Sequence, residues 1–428
     1  MTVAPEAPAL TPYESLTRSL QFADNSQHVW WQKVGLMMSK VLGSADGSWE
    51  EQLGYLQFFA RIVLPQLGPY PRKFNSSITR SGLPVEFSIN YQQNGKPPVV
   101  RVGFEPLGNL SGTAKDPFNK VPVTKLLPAL SQLQISGFDL QLWDHVVKEL
   151  TISEDEQTSI EGTEIDGGYL RSQTAFGFDL IGGGGVSVKG YAFPALKCKV
   201  TGKSMAEMMA DFVKNTEHLV DCSAAFSMVH AYLKDKGYDD RAFLSWDFVQ
   251  PSKSRLKLYT ASNNVTRDKL EEAWTLGGRL QGPTVSKGLQ YLKLLFDLIN
   301  LEEGERPVEV AFDDSKHSSK ATPLVWNYEM RAGDPNPLTK LYFPIHGEND
   351  MQIITGVAQF FRMIGLTDLG HSYVDTVKSY FPDIDLSTTE RFTSWVSFAY
   401  TEKTGVYLSV YYHSSTDNPW ETEKPSGA

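Results

Sequence analysis

Five times along this chain the apolar residues change from helical spacing to strict alternation, and each time two helical stretches come before two extended ones. In the first unit Asp24, Asn25 and Ser26 offer capping oxygens ahead of Trp30, Val34, Met37 and Val41, a second helical run covers 51–66, and alternation follows at 85–91 and 99–106. Helices at 122–134 and 139–150 precede strands at 171–180 and 186–193, and helices at 204–218 and 221–235 precede strands at 242–249 and 254–260. The fourth unit has helices at 267–274 and 284–301 with strands at 323–330 and 339–346; the fifth has helices at 350–364 and 370–380 with strands at 391–400 and 405–413. Strands arriving as hairpins predict an antiparallel sheet. Helix pairs on one face let that sheet close and lose its edges, and a barrel of about ten strands is wider than the roughly eight that side chains alone can fill. The predicted architecture is α+β, a single barrel domain over 21–414 with an outer ring of helices and a solvent-filled lumen, flanked by polar tails at 1–20 and 415–428.

Composition narrows the partners of such a barrel. Forty basic against 50 acidic residues leave a net charge of −10, which argues against a nucleic-acid or anionic-membrane surface, so any bound anion has to meet a local basic site. Cys198 and Cys222 are too few for a disulfide framework and lie in no zinc-binding cluster. No apolar run is long enough for a membrane span, and MTVAPEAPALTPYESL lacks the basic-then-apolar pattern of a secretory signal, so a cytoplasmic monomer or homodimer acting on small molecules is expected.

The second strand of each unit supplies that basic site. Val100, Val102 and Phe104 have to pack under helices, so Arg101, Gly103 and Glu105 face the lumen. The same parity points Lys189 and Tyr191 inward, then Arg255, Lys257 and Tyr259, then Lys340 and Tyr342, and finally Tyr407, Ser409 and Tyr411. Five cations facing one cavity cost desolvation and repel one another unless an anion or local carboxylates neutralise them. Arg forks and Lys point charges together suit a diphosphate ester. Tyrosine rings two residues beyond the cations fit an enzyme that must shelter a carbocation from water after an allylic diphosphate ionises. On the first strands Val85, Phe87 and Ile89 face out, leaving Glu86 and Ser88 inward. Glu86 either pairs with Arg101 or accepts a hydrogen bond from a neutral N–H on an electron-rich acceptor.

The phrases GLPVEFS, VVRVGFEP, VKGYAFP, KSRLKLY followed by WTLGG, LYFPIHG and WVSFAYTEKTGVYLSVYYH, in this order between Trp30 and His413, resemble the fungal dimethylallyltryptophan synthase family of indole prenyltransferases. The resemblance implies the αββα (ABBA) prenyltransferase barrel, dimethylallyl diphosphate as donor, an aromatic acceptor that is usually an indole, and no required metal or other cofactor. By position, Glu86 resembles the family's indole N–H acceptor, and Arg101, Lys189, Arg255, Lys257 and Lys340 its diphosphate ligands. Tyr191, Tyr259, Tyr342, Tyr400 and Tyr411 resemble its carbocation shield, although Tyr400 shares strand parity with the apolar Val396 and Phe398. Members that alkylate free tryptophan at C4 carry a lysine where this chain has Thr174, Ala175 and Phe176. The expected acceptor is accordingly a tryptophan-containing cyclic dipeptide or related indole alkaloid; free tryptophan at another carbon, tyrosine or a phenol are alternatives, as is a non-catalytic barrel that binds a phosphorylated lipid or an aromatic metabolite.

Three further signals carry no chemistry. Gly182–Gly185 lacks a following Gly-Lys-Ser/Thr and reads as a hairpin turn, His413 ends an inward face but reads as a capping or surface residue, and Asp313-Asp314 lacks the spacing of magnesium-dependent prenyl synthases, so lumenal cations are expected to replace the metal.

Overall fold

Ten strands close into one antiparallel barrel in unbroken chain order, β1 (Val85–Gln92), β2 (Val99–Phe104), β3 (Thr174–Ile181), β4 (Gly185–Ala192), β5 (Phe243–Asp247), β6 (Arg255–Ser262), β7 (Leu324–Arg331), β8 (Leu338–Pro344), β9 (Thr393–Thr401) and β10 (Gly405–Tyr412). Pairing of β10 with β1, Ser88 opposite Tyr411, completes the ring. The computed structural model describes residues 10–160, 171–240, 242–306 and 322–415. Asp313-Asp314 and residues 416–428 lie outside them.

Alternation does the sorting. Val85, Phe87 and Ile89 of β1 and Leu256 of β6 are wholly buried beneath the helical layer, whereas the residues between them reach the lumen. Trp246 of β5 lies across β4 so closely that a Cβ at Gly190 would stand 2.3 Å from its ring, so this outer glycine is a packing requirement. The β3–β4 hairpin turns through Gly183 and Gly184, both at positive φ (83° and 80°), which a side chain would resist. At the start of helix Asp350–Met363 the buried Asp350 carboxylate accepts from the backbone N–H of Arg391, Phe392 and Thr393, locking the approach to β9.

Three expectations are corrected. Residues 12–17 are not part of a tail: helix Pro12–Thr17, capped by Thr11, buries Leu16 and stacks Tyr13 on Trp31, with ring centroids 5.1 Å apart. Glu105 does not face the lumen, because β2 ends at Phe104 and the carboxylate turns into a buried cluster, accepting from Ser76 Oγ (2.6 Å), Ser172 Oγ (2.8 Å) and Asn119 Nδ2 (3.0 Å). Helices Glu154–Ser159 and Ala195–Thr201 and a small pairing of Asn264–Val265 with Gly304–Glu305 stand beyond the repeat, too short to impose a period on the sequence. None of the described helices is long and apolar enough to cross a membrane.

Candidate active site

Even-numbered strands all run in one direction, so equivalent residues stack in levels around the lumen. Arg101, Lys189, Lys257 and Lys340 form one level, and Tyr191, Tyr259 and Tyr342 form the next, two residues along. The cavity they line, together with its open mouth, holds about 1090 Å³ free of protein atoms.

The cation level is not bare. Asp179 on β3 lies opposite Arg101 and pairs with it at 2.8 Å while also binding Lys189. Asp247 on β5 lies opposite Lys189 and holds Arg255 at 2.6 Å. Glu329 on β7 lies opposite Lys257 and is shared with Arg255, both at 3.3 Å. Burial opposes ionisation of all three carboxylates, but the adjacent cations outweigh it and hold them below the usual range, Glu329 at about 2. Five cations against these three carboxylates leave a surplus of two positive charges. The strain of that surplus shows in Lys257, lowered to about 8 by burial and then by Arg255, and in Lys340, pushed well below its ordinary value by burial and then by Arg101 and Lys257. Lys340 makes no ion pair among the described residues; its ammonium lies over the rings of Tyr407 (5.0 Å) and Tyr342 (5.4 Å). A multiply charged anion placed here relieves the mutual repulsion of these groups.

Above the charges the tyrosines form a continuous arc, Tyr191 to Tyr259 at 6.4 Å, Tyr259 to Tyr342 at 6.0 Å and Tyr342 to Tyr411 at 6.2 Å between ring centroids. Phe243 stacks on Tyr259 at 4.2 Å and Trp395 meets Tyr342 edge-on at 6.4 Å, extending the aromatic wall. Gly103 and Gly177 face each other across β2 and β3, leaving room for Glu86, whose Cγ would lie 3.3 Å from a Cβ at Gly103, and for the ring of Tyr191, 3.3 Å from a Cβ at Gly177. Glu86 does not pair with Arg101, which Asp179 holds; it stands in register with Gly103, and burial raises it to about 8.

Comparison with known proteins gives this geometry its context. The family model described as tryptophan dimethylallyltransferase matches residues 26–376. This chain belongs to that family. It is 62% identical to prenyltransferase okaC of Penicillium ochrochloron over the full length of both chains, and 40% identical to deoxybrevianamide E synthase notF of Aspergillus sp. (strain MF297-2), covering 98% of this chain and 94% of that one. The crystal structure of NotF in complex with brevianamide F and DMSPP superposes with a TM-score of 0.85 at 38% identity, covering 95% of this chain and all of that one. AnaPT from Neosartorya fischeri gives 0.83 at 28% identity, covering 95% of this chain and 98% of that one. The fold is therefore the ABBA prenyltransferase barrel and the protein a dimethylallyl-transferring enzyme, which sets aside the non-catalytic binding barrel.

Within this prenyltransferase the structure brings together Glu86, Arg101, Lys189, Lys257, Lys340, Tyr191, Tyr259, Tyr342 and Tyr411 on one lumen. Two of the residues singled out from sequence stand apart from this set. Tyr400 points out of the barrel onto Tyr291 (5.7 Å) of helix Pro283–Ile299, as its parity with Val396 and Phe398 requires, and cannot shield a lumenal cation. Arg255 lies on the same inward face one step before Lys257, held by Asp247 and Glu329 within the charge network and lining the adjoining cavity with Asp247 and Lys253. Sequence reasoning missed Asp179, Asp247 and Glu329, although parity on FGFDL, LSWDF and NYEMR places each inward. It also gave no role to Tyr407, whose hydroxyl accepts a hydrogen bond from Arg101.

Proposed function

We propose that the protein transfers a dimethylallyl group from dimethylallyl diphosphate to the indole of a tryptophan-containing cyclic dipeptide or related indole alkaloid, without a required metal. The observation that carries this reading is the surplus of cations lying directly beneath an unbroken arc of tyrosines in one closed lumen. Arg101, Lys189, Lys257 and Lys340 bind the diphosphate, with Arg255 acting through Asp247 and Glu329, and favour departure of the C–O bonding pair onto it. Tyr191, Tyr259, Tyr342 and Tyr411 face the dimethylallyl cation and exclude water while an indole carbon attacks it. Glu86, at the tyrosine level, holds the indole N–H. The carboxylates of the cation level, Asp179, Asp247 and Glu329, are already committed to cations, which supports neutralisation of the diphosphate by Arg and Lys rather than by magnesium.

The acceptor assignment is supported by Thr174, Ala175 and Phe176 standing where members that alkylate free tryptophan at C4 carry a lysine, and by the NotF structure, where brevianamide F and DMSPP are bound together. Incubation with dimethylallyl diphosphate and a panel of acceptors, read by mass spectrometry and NMR, is expected to give far more product from a tryptophan-containing cyclic dipeptide than from free tryptophan, tyrosine or a simple phenol. Preference for free tryptophan would overturn the assignment.

Donor affinity should also depend on pH. Binding needs Lys257 charged, and burial and then Arg255 lower that group to about 8. Each pH unit above that value should weaken dimethylallyl diphosphate binding by up to about tenfold, since protonation must then accompany binding. Calorimetry at pH 7 and pH 9 checks the sign; tighter binding at pH 9 would contradict it.

A further inference from the structure

Glu86 is a wall between two cavities. Its other side meets a much smaller one, with room for about one water, at the barrel end where β1 begins and β8 and β10 finish. His346, His413, Ser394 and Ser81 line it. Glu86 Oε2 and Ser394 Oγ are both fully buried there without a hydrogen-bond partner among the described residues. Unpaired buried polar groups beside a space of this size are a setting in which a protein can hold a single ordered water.

The two histidines differ. His413 has both ring nitrogens engaged, one with Ser81 Oγ at 2.9 Å and the other with the Ser415 carbonyl. His346 makes no hydrogen bond among the described residues and is only 8% exposed. Charged and titratable groups meet this pair from every side, Arg80 and Arg72 from the segment before β1, Arg391 from the segment before β9, and Tyr412 and Glu86 from the strands. Burial and then this positive surround keep His346 neutral, lowering it to about 3. A neutral imidazole can take a proton on one nitrogen and release one from the other without storing charge.

We propose that a single water in this small cavity carries a proton out from Glu86, with His346 as its relay. The inference rests on the proposed function above, which needs water kept out of the lumen and so leaves a proton released there without an aqueous exit. As the new carbon–carbon bond forms, positive charge on the indole acidifies its N–H. That bond breaks with its pair staying on the ring, and the proton passes to Glu86, then to a water in the small cavity and to His346, whose other nitrogen gives up its proton toward the barrel end. The same path lets Glu86 discharge its resting proton when an acceptor docks.

The test uses His346→Gly and His346→Phe in the full chain, with kcat, both KM values, calorimetric donor affinity and added imidazole as readouts. The relay predicts a fall in kcat of about tenfold or more in both variants, donor affinity unchanged, and a dose-dependent recovery by imidazole in His346→Gly that the filled His346→Phe does not show. Rates within about twofold of the parent in both variants, or a loss in His346→Gly that imidazole leaves untouched, would overturn it. Failure of the parent protein to prenylate any indole would instead sink the functional reading, so the two failures are separable.

Discussion

Replacing Lys189 by alanine is expected to slow transfer from dimethylallyl diphosphate by about a hundredfold or more, the scale of losing one preorganised charge that stabilises a departing anion. Lys189 is 7% exposed, binds Asp179, and lies 3.8 Å from Asp247. Its removal halves the surplus positive charge and leaves Asp179 with Arg101 and Asp247 with Arg255 as their remaining cation partners. Ionisation gathers charge on that diphosphate, so the loss should fall more on single-turnover rate than on donor affinity. Lys189→Arg, which keeps the charge, should recover part of the rate. Arg255→Ala should cost less than Lys189→Ala, since Arg255 acts on the diphosphate only through its carboxylate partners. Wild-type turnover in Lys189→Ala would remove the cation level from catalysis.

The second large effect concerns Glu86. Glu86→Gln keeps the shape and an acceptor oxygen but loses the charge that enriches an indole bound through its N–H, so kcat should fall by about tenfold to a hundredfold. Donor binding measured by calorimetry should stay nearly unchanged, because Arg101 is satisfied by Asp179 and does not depend on Glu86. An N-methylated indole provides the cross-check: the parent enzyme should discriminate against it, and Glu86→Gln should discriminate less. Equal discrimination by both proteins would take Glu86 out of the acceptor site.

Much of this was legible before any coordinates, for a physical reason. A closed barrel buries one face of every strand under helices, so period-two alternation carries both the fold and the lumen's contents; every barrel strand falls within three residues of its expected bounds. Arg101, Lys189, Lys257 and Lys340 follow from parity alone. Parity fails where a strand ends: Glu105 has inward parity but lies one residue past β2, and only tertiary structure reveals the Ser76, Ser172 and Asn119 hydroxyl and amide groups that draw it away. Tyr400 illustrates the converse, since its outward parity was set against the family resemblance and the packing on Tyr291 follows the parity. The small cavity behind Glu86 was out of reach, because it joins residues from Ser81 to His413 that only barrel closure brings together.

Turnover in the presence of chelator tests the central claim most directly. With dimethylallyl diphosphate and a tryptophan-containing cyclic dipeptide in excess EDTA, the account predicts stoichiometric release of diphosphate and a monoprenylated indole product, at a rate within about threefold of that with magnesium, because the lumenal cations already supply the counter-charge. Loss of product and of diphosphate release in EDTA, both restored by magnesium, would contradict it.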